Sequence, residues 1–168
     1  LALEAFSKAV KIKENLRLTF IGGTLSKNKN IRFKNQLIKT SSNLGLSHLI
    51  TFRDLSQNIE EDYSKADIIL NFSENESFSM VCLEALAFGK PLIASESGGP
   101  EEIIDNNEDG ILISNRDIDK MSDAIIKLSG NKDLMNKFSE NGPVKVAEKF
   151  NVNINKEKLQ KVYNQEVF

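Results

Sequence analysis

The sequence predicts a doubly wound α/β domain, a parallel sheet with helices on both faces. Three observations carry that expectation. Short apolar runs recur without polar alternation, the pattern of strands covered on both sides. Segments with helical apolar spacing separate those runs in regular turn. The chain's 168 residues, 40% of them apolar, suffice for one domain with a substantial core.

The first segment places Leu3, Phe6, Ala9 and Val10 on one helical stripe, and LRLTFI at 16–21 follows as a buried strand. A helix is expected around 32–44, a strand at 49–52 and a helix around 58–65. The run DIILNF at 67–72 is a further strand. Residues 80–88, MVCLEALAF, read as a helix that is apolar all round except at Glu84, and such a helix is expected to lie buried. Gly89 suits the position just past its end, and KPLIAS resumes as a strand at Pro91, where a missing N–H is tolerated. After the turn NNEDG at 106–110, which overlaps the strand GILI at 110–113, three helical patterns reach the C-terminus. The chain opens inside an amphipathic helix with neither a cap nor a preceding strand, although a parallel crossover needs one. Residues 1–168 are therefore expected to be one domain cut at its N-terminus, with its first strand upstream.

Charge excludes some partners. The 22 basic and 24 acidic residues are spread along the chain for a net −2, which leaves no footprint for duplex nucleic acid. The one cysteine, Cys82, sits in the apolar helix and reads as a small buried thiol. No apolar run approaches a membrane span and no charged-then-apolar leader opens the sequence, so a reducing, cytoplasmic setting is expected. His48 stands beside an apolar run with local packing as its role. Glu60–Asp62 reads as the exposed face of a helix, and Asp117–Asp119 as a helix cap rather than a metal motif. GGT at 22–24 lacks the further glycines of a dinucleotide fingerprint. Neither a metal nor a nicotinamide cofactor is expected.

Glu84 raises the sharpest question, because an unpaired carboxylate among apolar side chains costs several kcal/mol. One answer is a structural ion pair with a distant Lys or Arg. The other is a ligand. In an open parallel sheet ligands bind beyond the carboxyl ends of the strands, and the loop after 67–72 is SENES, leading straight into this helix. Ser73, Ser77 and Ser79 are small enough for backbone N–H groups to approach a phosphate, which a helix N-terminus favours. Glu76 lies at the mouth and Glu84 further along, roughly 5–10 Å from the helix start at a rise of ~1.5 Å per residue. That interval suits a nucleotide diphosphate, with Glu84 accepting from ribose hydroxyls and Glu76 addressing the group on the far phosphate. Glu76 alone reads equally well as a solvated loop residue.

The run ENESFSMVCLEALAFGKPLIASESGGPEEIIDNNEDGILIS resembles the C-terminal half of retaining glycosyltransferases of family 4, which have the GT-B fold of two Rossmann-like domains. The resemblance rests on Glu76 and Glu84 with seven residues between them, then EAL, GKPLIAS, GGPEEII and the closing KLQKVYNQ in the same order. It implies transfer of a sugar from a UDP- or GDP-sugar, with retention, to a glycan or lipid-linked acceptor held by a separate N-terminal domain. It implies Glu76 as the catalytic residue on donor-sugar hydroxyls, and Ser77 with the amides of Phe78, Ser79 and Met80 around the distal phosphate and sugar. Glu84 would take the ribose, with Arg53, Asp54 and Leu55 near the base. Ser77, Ser79 and Asp54 stand where the family commonly has Gly. The family's Arg and Lys that neutralise the leaving diphosphate have no counterpart here and would fall upstream of Leu1, so the isolated chain is expected to be inactive. Peripheral attachment of the full-length protein to the inner membrane face is compatible with the resemblance. The same layout also serves nucleotide-sugar 2-epimerases and non-catalytic nucleotide-binding modules.

Overall fold

The structure is a computed structural model that describes residues 1–22, 28–54 and 58–164, apart from the side chains of 28–30 and 154. Along the chain run α1 (Ala2–Ala9), β1 (Leu18–Ile21), α2 (Asn28–Asn43), β2 (Ile50–Arg53), α3 (Ile59–Lys65) and β3 (Ile69–Asn71). They are followed by α4 (Met80–Ala87), β4 (Leu92–Ser95), α5 (Gly99–Ile103), β5 (Ile111–Ile113), α6 (Ile118–Ser129), α7 (Lys132–Lys149) and α8 (Val152–Tyr163). The expected alternation is present and every strand pairing is parallel. Among the described residues no helix is long and apolar enough to cross a membrane.

The sheet differs from the continuous one expected. Among the described residues β1 pairs only with β2, and β3, β4 and β5 form a separate three-stranded sheet in that order. No described strand pairs with the second edge of β1 or of β3. The helix α1 joins the two halves. Its Ala5 and Ala9 pack with Ile93, Ile111 and Met121, while Leu3, Phe6 and Val10 pack with Leu46, Leu49 and Ile50. The stripe legible in the sequence thus divides between two cores. β4 is buried along its whole length, as a strand covered on both faces must be.

Local chemistry fixes most helix ends. Asn58 Oδ1 accepts from the Glu61 N–H at 3.2 Å, and Asp117 Oδ1 from the Lys120 N–H at 3.0 Å, so Asp117 is the helix cap its position suggested. Past α4, Gly89 has φ 60°, its N–H donates to Leu86 O at 3.0 Å and that of Lys90 to Ala85 O at 2.8 Å, a Schellman closure. Several expectations need correction. The five-residue helix α5 was not foreseen as a helix. His48 is exposed rather than packed. Asp62 is buried, not on a solvated face, because Arg53 reaches it at 2.6 Å.

The C-terminal helices brace the β5 side. Lys145 on α7 is buried, and its Nζ lies 2.8 Å from carboxylate oxygens of both Asp105 and Asp109. These are ion pairs rather than directed hydrogen bonds, since the ammonium makes no hydrogen bond of good geometry. Asp109 is itself 2% exposed and accepts at Oδ1 from the Asp105 N–H at 2.9 Å. The ammonium, first through the contact itself, holds the Asp105 carboxyl below the ordinary carboxylate range. Lys145→Met leaves Asp109 buried without its cation and should cost about 3 kcal/mol in urea unfolding at neutral pH. Because the folded carboxyl value is depressed, the Asp105 contribution is present above the unfolded value and fades as pH falls through the folded one. An unchanged urea midpoint would show that the cluster carries no stability.

Candidate functional site

The loop between β3 and α4 is held at both ends by one buried side chain. Asn71, which ends β3, donates from Nδ2 to Ser79 Oγ at 2.7 Å and accepts at Oδ1 from the Ser73 N–H at 3.2 Å. Ser79 is 4% exposed, caps α4 by accepting the Cys82 N–H at 3.4 Å, and takes left-handed backbone angles of φ 73° and ψ 83°. A left-handed residue with a Cβ costs ~1–2 kcal/mol, which the cap and the Asn71 contact offset. Of Ser77, Ser79 and Asp54, where the resembling family has Gly, only Ser79 takes a positive φ.

The loop's middle lies against the loop that follows β4. The Glu76 N–H donates to Ser97 O at 2.9 Å and the Gly99 N–H to Glu76 O at 2.7 Å. The partner loop is itself fixed by Glu101, whose carboxylate accepts from the Ser97 N–H at 3.1 Å and the Gly98 N–H at 3.0 Å. The approach leaves no room for side chains. A Cβ on Gly98 would stand 2.6 Å from Glu76 O, and one on Gly99 would stand 2.3 Å from the Phe78 carbonyl carbon. The Glu76 carboxylate is steadied by Ser73, whose Oγ donates to Oε1 at 3.1 Å.

This framework presents the residues singled out in the sequence. Among the described residues, no carbonyl or side chain accepts from the amides of Phe78, Ser79 or Met80, which lead into α4. Ser77 is exposed. The helix is not buried all round as expected. Cys82, Ala85 and Leu86 are fully buried, whereas Met80 is 57% and Val81 44% exposed, because neighbouring elements cover only one side of α4.

Glu84 is half-buried, and its partner is neither Lys nor Arg. Oε2 accepts from the Tyr63 hydroxyl at 3.1 Å. Burial first, and then the Glu84 charge, push the Tyr63 phenol well above its ordinary value, so it stays a donor. Tyr63 and Asp62 are neighbours on α3, so one short helix links Glu84 to Arg53 at the end of β2. Asp54 beside it pairs with Lys34 at 2.9 Å. Leu55 lies outside the described residues. Sequence reasoning missed Asn71, Tyr63 and the seating of the loop on Gly98 and Gly99. A polar residue closing the apolar run DIILNF was a signal for Asn71, but no spacing signalled Tyr63, which meets Glu84 from 21 residues away.

Two predictions follow from this packing. Gly99→Ala should cost ~2–3 kcal/mol in urea unfolding, since its Cβ meets backbone. Gly45→Ala, at φ 71° but with nothing within 4 Å, should cost only ~1 kcal/mol. Equal losses would contradict the close approach. Ser79→Gly should be nearly neutral, trading strain for the lost cap, whereas Ser79→Ala keeps the strain and should lose ~1 kcal/mol.

Comparison with known proteins identifies the family. The sequence model described as glycosyl transferases group 1 matches residues 1–145. A D-inositol 3-phosphate glycosyltransferase from Corynebacterium jeikeium is 32% identical over 157 residues, covering 91% of this chain and 36% of its own. The C-terminal domain of a glycosyl transferase group 1 family protein, LpcC, from Francisella tularensis superposes with a TM-score of 0.80 at 26% identity, covering 90% of this chain and 78% of that one. Anabaena Alr3699/HepE, solved in complex with UDP, has a TM-score of 0.87 at 18% identity over 96% of this chain and 44% of its own, a likeness of fold. The chain spans 14–36% of the length of the first three curated relatives it matches. With the family model covering most of its residues and a GT-B C-terminal domain as its fold, the chain belongs to the glycosyl transferases group 1 family.

Proposed function

We propose that this chain is the donor-binding half of a retaining glycosyltransferase of family 4, which takes a UDP- or GDP-sugar and delivers the sugar to a glycan or lipid-linked acceptor. The observation that carries the reading is the α4 entrance, where the amides of Phe78, Ser79 and Met80 have no acceptor among the described residues and a carboxylate stands one turn further in. Successive N–H groups at a helix start form an anion site, favoured further by the helix dipole. The diphosphate sits there. Four residues beyond Met80 the rise is ~6 Å, which sets Glu84 level with the ribose. Glu76, fixed by Ser73, accepts from hydroxyls of the transferred sugar, while Ser77 lies beside it and Arg53 and Asp54 lie towards the base.

Charge on the departing diphosphate is met by the amides, the helix start and cations that we place in the segment preceding Leu1, without a metal. We assign to the same segment a strand for the second edges of β1 and β3, whose two cores α1 bridges. The acceptor is held by a further domain of the protein. The relatives support this placing, since each is longer than the stretch it shares with this chain.

In the full-length protein, Glu84→Gln should weaken UDP or GDP binding in calorimetry at least about tenfold, since a charge-assisted bond is worth ~1.5–3 kcal/mol. Glu76→Gln should leave that affinity within about threefold but lower turnover of the nucleotide sugar by roughly a hundredfold or more. Unchanged turnover would remove Glu76 from the chemistry, and unchanged affinity would remove Glu84 from the ribose.

A further inference from the structure

We infer that Tyr63 is a positioning residue whose hydroxyl aims the Glu84 carboxylate at the ribose and thereby sets the preference for nucleotides that carry both ribose hydroxyls. The inference rests on the reading of Glu84 given under Proposed function and adds a residue to it.

A glutamate on a half-open helix face has several rotamers, and fixing a long side chain costs up to ~2 kcal/mol. Among the described residues Glu84 has one fixed point for its carboxylate, the Tyr63 hydroxyl at 3.1 Å from Oε2. That point is rigid. The Tyr63 residue is 7% exposed and its ring stacks on Phe88 with centroids 5.0 Å apart and planes at 20°. The helix that carries it is held from its other side, because Asp62 is also buried and paired with Arg53 at 2.6 Å.

The chemistry of the partner matters as much as its position. A lysine or arginine in the same place would offer several donors and neutralise the carboxylate. A phenol offers one proton and leaves the charge intact. The Tyr63 hydroxyl also lies 3.3 Å from Val81 O, but its single proton goes to the charged and nearer acceptor. An ionised carboxylate has about four lone-pair sites, so one bond to Tyr63 leaves capacity for both donors of a vicinal diol. Burial keeps the phenol protonated through the neutral range, so the donor is always present. Tyr63 also fills core space, and the alternative role is packing alone.

The test is calorimetry on the full-length protein with UDP and GDP and with their 2′,3′-dideoxy counterparts, for the wild type, Tyr63→Phe and Glu84→Gln. Tyr63→Phe keeps the ring on Phe88 and removes only the hydroxyl. It should weaken the binding of the natural nucleotide at least about threefold while moving the dideoxy affinity by less than twofold, so the preference shrinks. Equal weakening of both ligands, or no change in either, would overturn the inference and leave Tyr63 as a packing residue. If Glu84→Gln abolishes the preference and Tyr63→Phe does not, only this inference falls. If Glu84→Gln leaves the preference intact, the ribose assignment itself is wrong and the inference falls with it. A wild type that binds none of the four nucleotides would refute the proposed function.

Discussion

The site depends on one constraint, the direct seating of backbone on backbone where residues 76–78 cross Gly98 and Gly99. Two loops leaving adjacent parallel strands are locked by reciprocal hydrogen bonds through Glu76, and each is secured again from its own side. Asn71 holds the first by its ends, and Glu101 holds the second by two amides. The directions of the N–H groups entering α4 are therefore set by the fold before any ligand arrives, which lowers the ordering cost that binding would otherwise carry. Glycine is required at 99 by the close contact, and at 98 by both the contact and a φ of 111°.

Electrostatics in this half are restrained. Arg53 at the end of β2 is engaged by Asp62, and Lys34 of α2 by Asp54. In the proposed reading, attraction for an anion comes mainly from the amides of Phe78, Ser79 and Met80, which have no acceptor among the described residues, and from the start of α4. Apolar surroundings would penalise Glu84. Tyr63 gives Glu84 a neutral donor rather than a cation, its hydroxyl 3.1 Å from Oε2.

Much of this was legible in the sequence, and the parts that were not share a cause. The continuous apolar run KPLIAS identified a strand buried on both faces, and Gly89 ended α4 as its position required. LRLTFI and DIILNF instead lie in strands that are only partly covered, Ile21 of β1 being 44% exposed where a buried strand was expected. Glu84 drew attention because a charge among apolar neighbours demands a reason. Periodicity could not divide the α1 stripe between two cores, because that split depends on which strands lie on either side. Nor could it find Tyr63 or the contact between Phe78 and Gly99, since partners separated by about twenty residues are matched only by the fold. Glu60–Asp62 misled for the same reason. Three acids on a helix look solvated until Arg53, from a neighbouring strand, buries one of them.

The most direct measurement is the change in amide chemical shifts of ¹⁵N-labelled full-length protein as UDP or GDP is added. The account predicts the largest changes at Phe78, Ser79 and Met80, with smaller ones at Gly98 and Gly99 that carry the loop. Saturable binding whose shifts cluster elsewhere and leave those three amides unmoved would contradict it.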